Sequence, residues 1–520
     1  MERKRGRLEM RKKMLLSLTT AVLFSLSFPP LKLGFLAYFV LIPFFILLED
    51  LNYKESIRWG YLTGLFTNIG TLYWINWVTV AGAFAAILYL PIYLIFYAVL
   101  HTFLRKRLAT KYLFICIPFL WTGIEFVRSL GVLGFPWSSL AYTQTYYLSL
   151  IQYVSYSSIF GVSFWIVTIN VVILSIIKNV SNVKKVITYL VFLILLFIIP
   201  WLYGRWVMPD EETDSKEKIR IGLVQGNIDP YLKWDDEFVD ENLKIYDNHS
   251  RQLKDSCLDL IIWPETATPV YLRDSAHYLQ TIRTLLKDLN VCLVTGTPDY
   301  KFFPDHTYKT FNAAFLFTPL NNNFQVYRKL HLVPFSERVP FTEVFPLLKD
   351  FLESLEMGEG NFSPGDRIVS FKIPILNDKE RFQRDFVLAP VIICFESMFS
   401  DLVRKFVKNG ADILIVITND AWFGRTSAPF HHAQAAVFRA IENRIGIARC
   451  ANTGVSMFVN AYGRTLTKTS IFEKATIVEN MFLRSKTTFF TRYGHVFSIT
   501  VSLLNIIPIL TALFSSNKTE

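Results

Sequence analysis

The spacing of apolar residues divides the chain into two kinds of region. Long apolar runs, of the roughly 20 residues that a helix needs to cross a bilayer, lie within residues 14–203 and return at 493–514. Between them, residues 205–485 contain short β-branched runs separated by amphipathic stretches. This pattern predicts an N-terminal transmembrane domain over residues 1–203, an α/β domain over 205–485 and a C-terminal transmembrane helix over 493–514.

Eight apolar runs are candidate transmembrane helices, which predicts a membrane α-helical bundle of about eight helices. They are residues 14–29, 32–49, 58–77, 82–103, 112–129, 148–177, 185–203 and 493–514. A cleaved signal peptide is the alternative for the first run, which stops at Pro29-Pro30. Against this alternative, no small-residue cleavage site follows, and a second apolar run begins almost at once.

Basic residues in the loops predict how the helices are oriented. Seven Lys and Arg side chains lie in the tail 3–13, and four lie in the loop 104–111. The positive-inside rule places both segments in the cytoplasm. Seven crossings then place residues 205–485 on the opposite side of the membrane, and the eighth helix returns the C-terminus to the cytoplasm.

Composition and charge narrow the class of protein. Residues are 52% hydrophobic and 19% charged, whereas soluble proteins carry roughly 25% charged residues. This composition excludes a disordered chain and, with five cysteines in 520 residues, a disulfide scaffold. The net charge of +11 comes partly from basic clusters beside membrane helices. It therefore indicates membrane topology and contact with lipid head groups rather than a nucleic-acid partner.

The odd number of cysteines predicts at least one free thiol. Of the five, Cys116 falls in a predicted membrane helix, and Cys257, Cys292 and Cys450 are expected to pack in the core.

Two polar residues stand out within the predicted membrane helices. Glu125 and Arg128 share one helical face with Trp121, and an aromatic loop, 131–137, follows and ends at Trp137. The pair could be joined to each other or face lipid head groups. A simple interfacial anchor explains the aromatic loop equally well, and the sequence leaves these alternatives open.

Strand-like and helix-like patterns alternate in the second region, which favours a layered α/β fold. The predicted strands are 219–224, 258–263, 291–295, 369–375, 386–393, 413–418, 455–459 and 475–483, and the predicted helices are 237–254, 275–288, 398–409 and 431–447. Residues 311–318 and 324–329 are predicted to form a hairpin. We therefore expect a sandwich of mixed sheets with outer helices.

Three chemically competent residues fall just past predicted strand ends, where α/β enzymes hold their active sites. They are Glu265, Lys329 and Cys394. A thiol attacks as a thiolate, a carboxylate can accept its proton, and an ammonium can stabilise an oxyanion. The set suffices for acyl transfer without a metal or cofactor. His431 and His432 lack ligand partners at a suitable spacing and are interpreted as a pair at a helix N-terminus.

Short motifs surround these residues, and others lie elsewhere in the chain. One set is Trp263-Pro-Glu265, Tyr327-Arg-Lys329-x-His331, Ile393-Cys394-Phe-Glu396, Asn419-Asp420-Ala-Trp422 and Arg439-Ala-Ile-Glu442 with Arg449. A second set is Val224-Gln-Gly-Asn227 with Lys233-Trp234, Leu332-Val-Pro-Phe-Ser-Glu337 and Gly134-Phe-Pro-Trp137. The first set resembles the nitrilase superfamily, and the second resembles, more narrowly, the apolipoprotein N-acyltransferases. Their order along nearly the whole chain makes the resemblance specific.

The resemblance implies a nitrilase-like αββα sandwich and a ping-pong acyl transfer with no cofactor. Cys394 would be the nucleophile, Glu265 the proton acceptor and Lys329 the oxyanion partner. Glu337 and Glu396 would support this triad. The side chains that would contact the substrate are Trp234, Phe395 and Trp137.

The same resemblance implies the partners and the location. The acyl donor would be a phospholipid and the acceptor a diacylglyceryl-apolipoprotein, at the periplasmic side of a bacterial inner membrane. Position 395 is Phe, where many members are expected to have Tyr. This departure puts in doubt any role of that hydroxyl but leaves the triad intact.

Two other functions compete with this interpretation. A membrane-tethered amidase would use the same triad with water as the acceptor. A transporter or receptor with a sensing domain would need ionisable residues along several helices, and replacing Cys394 by Ala would leave it working. For the acyltransferase, the attacking amine must be neutral, so transfer should weaken below about pH 7.

Overall fold

The computed structural model describes residues 2–209, 217–234, 236–304, 306–338, 362–376, 382 and 384–515. These residues form two units, which are described separately. The first comprises the residues up to Met208 and those from His495 onward, and the second is Pro209–Gly494.

The helices follow the chain in this order: α1 (Glu2–Leu26), α2 (Ile42–Leu48), α3 (Tyr53–Leu72), α4 (Val80–Tyr89), α5 (Pro91–Arg107), α6 (Thr110–Arg128), α7 (Leu148–Ile151), α8 (Val154–Lys178), α9 (Val183–Val207), α10 (Asp236–Arg251), α11 (Ala276–Leu289), α12 (Ser400–Lys408), α13 (Ala428–Asn443), α14 (Phe489–Tyr493), α15 (Val496–Leu504) and α16 (Ile506–Phe514).

Within the described residues, five helical stretches are long and apolar enough to cross a membrane. They are Gly82–Arg107, Thr110–Arg128, Val154–Lys178, Val183–Val207 and Val496–Phe514. The other predicted spans fall on α1 and α3, which begin with charged turns, and on α2, which is short. The chain is therefore a helical membrane protein with five candidate spans, and a total of eight stays a prediction.

The polar pair of the first unit holds a loop in place. On α6, Arg128 Nη2 lies 3.8 Å from Glu125 Oε1. The Glu125 carboxylate accepts a hydrogen bond of 2.9 Å from the backbone of Leu140, and Arg128 donates one of 3.3 Å to the Ser139 hydroxyl. Because the two side chains join each other and the loop that follows α6, their contacts are those of a structural clamp.

The strands of the second unit are β1 (Lys218–Gln225), β2 (Leu260–Ile262), β3 (Cys292–Phe302), β4 (Tyr308–Phe317), β5 (Phe324–Arg328), β6 (Ser370–Pro374), β7 (Phe386–Ile393), β8 (Leu414–Thr418), β9 (Ile447–Ala451), β10 (Met457–Val459), β11 (Thr465–Lys468) and β12 (Ala475–Phe482). They form two six-stranded sheets, with the orders β12-β1-β2-β3-β4-β5 and β11-β10-β9-β8-β7-β6.

Both sheets are mixed, as predicted. The neighbours β1, β2 and β3 run parallel in one sheet, as do β7, β8 and β9 in the other, while the flanking strands are antiparallel. The predicted hairpin is confirmed as β4 and β5. Alternate strand residues such as Ile221, Ile262 and Val391 join a single buried core between the sheets.

Helices cover the two sheets on their outer sides. Side chains of α10 and α11, including Tyr246 and Ile282, form a second cluster with the first sheet. Residues of α12 and α13, including Phe406 and Ala436, pack in the larger core. The layers therefore run helix, sheet, sheet, helix, and the predicted αββα sandwich is confirmed.

Two local predictions are wrong. The helix predicted over 431–447 ends at Asn443, where Arg444 adopts a left-handed conformation, and residues from Ile447 form β9 instead. Cys257 is exposed rather than packed in the core, and it lies where the chain turns through a left-handed conformation with φ of 48°.

Candidate active site

The three predicted site residues each follow the end of a strand in the second unit. Glu265 lies three residues after β2, Lys329 comes directly after β5, and Cys394 comes directly after β7. Parallel strands bring their carboxyl ends to one edge of a sheet, and β2 and β7 each lie in the parallel part of their own sheet.

The Glu265 carboxylate is held by donors from three elements. One oxygen accepts a hydrogen bond of 2.8 Å from Asn312 Nδ2 on β4, and Lys329 Nζ lies 3.5 Å from the same oxygen. The other oxygen accepts a bond of 2.8 Å from the backbone N–H of Asn419. Glu265 is only 6% exposed, so its carboxylate is fixed in direction and shielded from bulk water.

Lys329 is a buried cation between two carboxylates. Its Nζ donates a hydrogen bond of 2.8 Å to Glu337 Oε1. The second Glu337 oxygen accepts a bond of 2.8 Å from the backbone of Val333. Burial alone would lower the pKa of Lys329, but the charges of Glu337 and Glu265 raise it above its ordinary value. The ammonium is therefore charged throughout the neutral range, as an oxyanion partner must be.

Cys394 has a strained backbone and a protonated thiol at rest. Its φ is +50°, in the left-handed region that side chains other than Gly rarely adopt, and such strain clusters at functional sites. Burial and the Glu265 carboxylate raise the pKa of the Cys394 thiol, and Lys329 lowers it only in part. The sulfur therefore needs a base at the moment of attack.

Glu396 joins the ends of β5 and β7. Its buried carboxylate accepts hydrogen bonds from the Tyr327 hydroxyl at 2.7 Å, from the backbone of Leu330 at 2.7 Å and of His331 at 3.1 Å, and from the backbone of Ile393 at 2.8 Å. These donors flank Lys329 and Cys394, so Glu396 fixes the nucleophile relative to the ammonium.

A buried chain of hydrogen-bonded side chains begins at the backbone carbonyl of the nucleophile. His432 Nε2 is 3.0 Å from the Cys394 carbonyl oxygen, and its Nδ1 is 2.8 Å from Asp420 Oδ1. Asp420 Oδ2 in turn accepts a bond of 2.8 Å from Arg449. His432 does lie near the N-terminus of α13, as predicted, but the sequence interpretation missed its contact with the nucleophile.

The three predicted substrate contacts have different surroundings. Phe395 is buried and meets Phe399 edge-on, with 5.0 Å between ring centroids. Trp137 lies in the first unit, buried against Trp74 at 4.8 Å. The Trp234 side chain lies outside the described residues.

Sequence reasoning missed Asn312, Asn419 and the role of Lys233. Lys233 Nζ donates to the Glu265 carbonyl oxygen at 3.1 Å and to Thr266 Oγ1 at 2.7 Å. Asn419 and Lys233 lie in the motifs quoted above, which could have singled them out, whereas Asn312 carries no such signal. Among the described residues, no group of three or more His, Cys, Asp or Glu side chains is placed to hold a metal ion.

Comparison with known proteins matches both parts of the chain. The family described as apolipoprotein N-acyltransferase N-terminal domain matches residues 20–172, and the family described as carbon-nitrogen hydrolase matches residues 220–484. The chain is 34% identical to the apolipoprotein N-acyltransferase of Geobacter metallireducens, over 94% of this chain and 93% of the relative. It is 30% identical to that of Chlorobaculum tepidum, over 92% of each chain. A solved structure of an amidase from Nesterenkonia sp. is 18% identical, with a TM-score of 0.37, over 53% of this chain and 93% of that chain.

Proposed function

Because this chain belongs to the apolipoprotein N-acyltransferase family, we propose that it N-acylates apolipoproteins through a thioester on Cys394. The acyl donor is a phospholipid, and the acceptor is the N-terminal diacylglyceryl-cysteine of the apolipoprotein. The observation that carries the proposal is the buried Lys329 ammonium, 3.5 Å from the Glu265 carboxylate, with Glu396 joining the backbone beside Lys329 to the backbone beside Cys394.

The first half-reaction loads the enzyme. Glu265 accepts the thiol proton while Cys394 Sγ forms a bond to the ester carbonyl carbon of the phospholipid. Lys329 donates a hydrogen bond to the oxyanion that develops. The ester C–O bond then breaks, and the lysophospholipid hydroxyl leaves with the proton held by Glu265.

The second half-reaction transfers the chain. The neutral α-amine of the acceptor attacks the thioester carbonyl, and Glu265 accepts a proton from the nitrogen. The C–S bond breaks, the amide forms, and the sulfur takes the proton back from Glu265. An amidase would form its thioester from an amide, with release of an amine or ammonia, and would complete the cycle with water as the acceptor.

The roles of the surrounding residues belong to the same proposal. Glu337 and Glu396 position Lys329 and Cys394 through the hydrogen bonds described above. In the second unit, Phe395, adjacent to the nucleophile, and Trp234 are proposed to contact the acyl chains, and substrate contact by Trp137 of the first unit stays a prediction.

We place the protein in a bacterial inner membrane with eight crossings and the second unit on the periplasmic side. The basic segments 3–13 and 104–111, which the positive-inside rule assigns to the cytoplasm, and the five candidate spans support this topology. Exposed Cys257 offers a test. A membrane-impermeant thiol reagent should label it in spheroplasts and not in sealed inside-out vesicles, and the reverse pattern would overturn the assignment.

The catalytic proposal is tested by intact mass after incubation of the purified protein with phospholipid alone. A fatty-acyl increment that hydroxylamine removes, and that Cys394→Ala lacks, is the expected result. Folded protein with no increment and unchanged lipid would overturn it. Lipid hydrolysed without a trapped adduct would instead identify water as the acceptor.

A further inference from the structure

Lys233 is a buried lysine beside the proposed base. It lies in a short 3-10 turn, Leu232–Trp234, between β1 and α10, and is only 1% exposed, whereas its neighbours Tyr231 and Leu232 are 72% and 47% exposed. The lysine of this turn is therefore more buried than its hydrophobic neighbours, although lysine is among the side chains least often buried. Such a position calls for a specific partner.

The partner is the turn that carries Glu265. The Lys233 ammonium donates hydrogen bonds to the Glu265 carbonyl oxygen at 3.1 Å and to Thr266 Oγ1 at 2.7 Å. Both acceptors are neutral, and the nearby counter-charge is the Glu265 carboxylate. Burying an ammonium is costly unless a charge compensates it, so the charges of Lys233 and Glu265 depend on each other.

The Glu265 turn needs such a clamp. Thr266 has φ of +46°, which is strained for a β-branched residue. The turn also rests on β3, where the Gly296 N–H donates to the Pro264 carbonyl at 3.1 Å. A Cβ at position 296 would lie 2.6 Å from the Glu265 Cα, so the turn packs tightly against that strand. Lys233 holds the same turn at the Glu265 carbonyl oxygen and the Thr266 hydroxyl.

We propose that Lys233 is a positioning residue for Glu265, which clamps its turn through two hydrogen bonds and places a positive charge beside it. The two lysines then have separate tasks. Lys329 pairs with the Glu265 carboxylate and stabilises the oxyanion, and Lys233 fixes the position of Glu265, which accepts the thiol proton. The inference concerns the site of the proposed function but does not depend on the acyl donor.

The charge of Lys233 changes within an accessible pH range. Burial lowers the pKa of Lys233 to about 7, against the opposing effect of Glu265. The lysine is therefore cationic below about pH 7 and neutral above it. Among the described residues, the other charged or titratable groups around Glu265 are Lys329, Cys394 and Glu337, which shares the Asn312 amide with Glu265. An effect of the Lys233 charge should thus appear on the acid side only.

The test compares three variants of the full chain. Lys233→Gln keeps a donor without the charge, Lys233→Arg keeps the charge, and Lys233→Met removes both. Lys244→Gln, the same change at an exposed lysine of α10, is the matched control. The readout is the rate of Cys394 alkylation by iodoacetamide across pH, with peptide mass spectrometry to separate Cys394 from exposed Cys257.

In Lys233→Gln, the rate of Cys394 alkylation should lie within about twofold of the wild-type rate at alkaline pH. At acid pH it should be about tenfold lower than the wild-type rate, a factor equivalent to one unit of pKa. Lys233→Arg should retain the wild-type rate at acid pH, and Lys233→Met should be alkylated slowly at every pH.

Folded Gln and Met variants with wild-type pH profiles would overturn the proposal. Equal slowing of the Gln variant at all pH values would also overturn it, because a purely structural role predicts that result. If the Gln variant does not fold, the Arg variant decides, since loss of its acid-side rate contradicts a role for the charge.

Alkylation requires no lipid, so the two proposals fail separately. A pH-dependent Lys233 effect in an enzyme that forms no acyl adduct would reject the proposed function and keep this inference. Acyl-adduct formation with no effect of the Lys233 variants would keep the proposed function and reject this inference.

Discussion

Lys329 lies closer to Glu337 than to the proposed base. The ammonium is 2.8 Å from Glu337 Oε1 and 3.5 Å from Glu265 Oε1, and the Asn312 amide donates to both carboxylates at 2.8 Å. Glu337 thus takes the shorter ion pair, which leaves Glu265 with weaker contact to the cation. Glu337 therefore holds the ammonium, and Glu265 Oε1 receives its short hydrogen bond from Asn312 instead.

Glu337→Gln should slow acylation of Cys394 without abolishing it. The variant keeps a neutral acceptor near Lys329, but it removes the charge that raises the lysine's pKa and the second oxygen that accepts from the Val333 N–H. Replacing a charged acceptor in this way costs about 1.5–3 kcal/mol, which corresponds to about a 10- to 150-fold slower rate. Single-turnover mass spectrometry with phospholipid would measure it.

The matched control for that experiment is Glu337→Asp, which keeps the charge on a shorter side chain and should lose less. An unchanged rate in Glu337→Gln would show that Lys329 does not need its second carboxylate.

Glu396→Gln should damage both folding and catalysis. A glutamine has one acceptor oxygen, so its NH2 group would meet a backbone donor from either Ile393 or the pair Leu330 and His331. Leaving a buried donor unsatisfied costs about 1–3 kcal/mol. Thermal unfolding in detergent, followed by tryptophan fluorescence, should show a lower midpoint, and the remaining folded protein should acylate slowly.

Tyr327→Phe is the matched control, because it removes one of the four donors to Glu396 and leaves the backbone contacts. A loss of about 1 kcal/mol is expected. Equal effects of the two variants would contradict the view that Glu396 acts mainly through the backbone donors around Lys329 and Cys394.

The sequence identifies Glu265, Lys329 and Cys394 because chemistry at strand ends is a local signal, visible from a β-branched run followed by a polar residue. Asn312 could not be found this way, since its contact with Glu265 spans 47 residues and depends on sheet register. The role of His432 is hidden for the same reason, because Cys394 is 38 residues away.

Secondary structure shows the same limit. The hairpin of β4 and β5 is predictable from two strand-like runs separated by an Asn-rich turn. Strand β9 was missed because Ile447–Ala451 is fully buried and continues the apolar pattern of α13, so periodicity alone does not separate the two elements. Only the left-handed residue Arg444 marks the change of direction.

The two half-reactions should differ in their response to pH. The acceptor is an α-amine, with an ordinary pKa of about 8, and it attacks only when neutral. Transfer from a preformed thioester should therefore weaken below about pH 7. Loading Cys394 with lipid first, and then adding acceptor in buffers of different pH, isolates this step. Hydroxylamine as the acceptor controls for stability of the thioester, and a profile that stays flat with the peptide amine would refute the prediction.

Low pH should remove the contribution that the ionised Asp420 makes to the free energy of unfolding. Burial alone would raise the pKa of Asp420, but the charges of His432 and Arg449 lower it below its ordinary value. A depressed pKa gives stability that is present above the unfolded value, about 3.9, and is lost as the pH falls through the folded value.

Asp420→Asn, which leaves Arg449 buried without its counter-charge, should cost about 3–5 kcal/mol at neutral pH. Its unfolding midpoint should also fall less steeply than that of wild type between neutral pH and about pH 3. Asp401→Asn is the control. Asp401 pairs with Arg404 and Lys405 at a more exposed position, where such pairs contribute about 1 kcal/mol or less. Parallel acid profiles for wild type and Asp420→Asn would show that the hydrogen-bonded chain that begins at Cys394 does not stabilise the fold, and that Asp420 acts only by orienting His432.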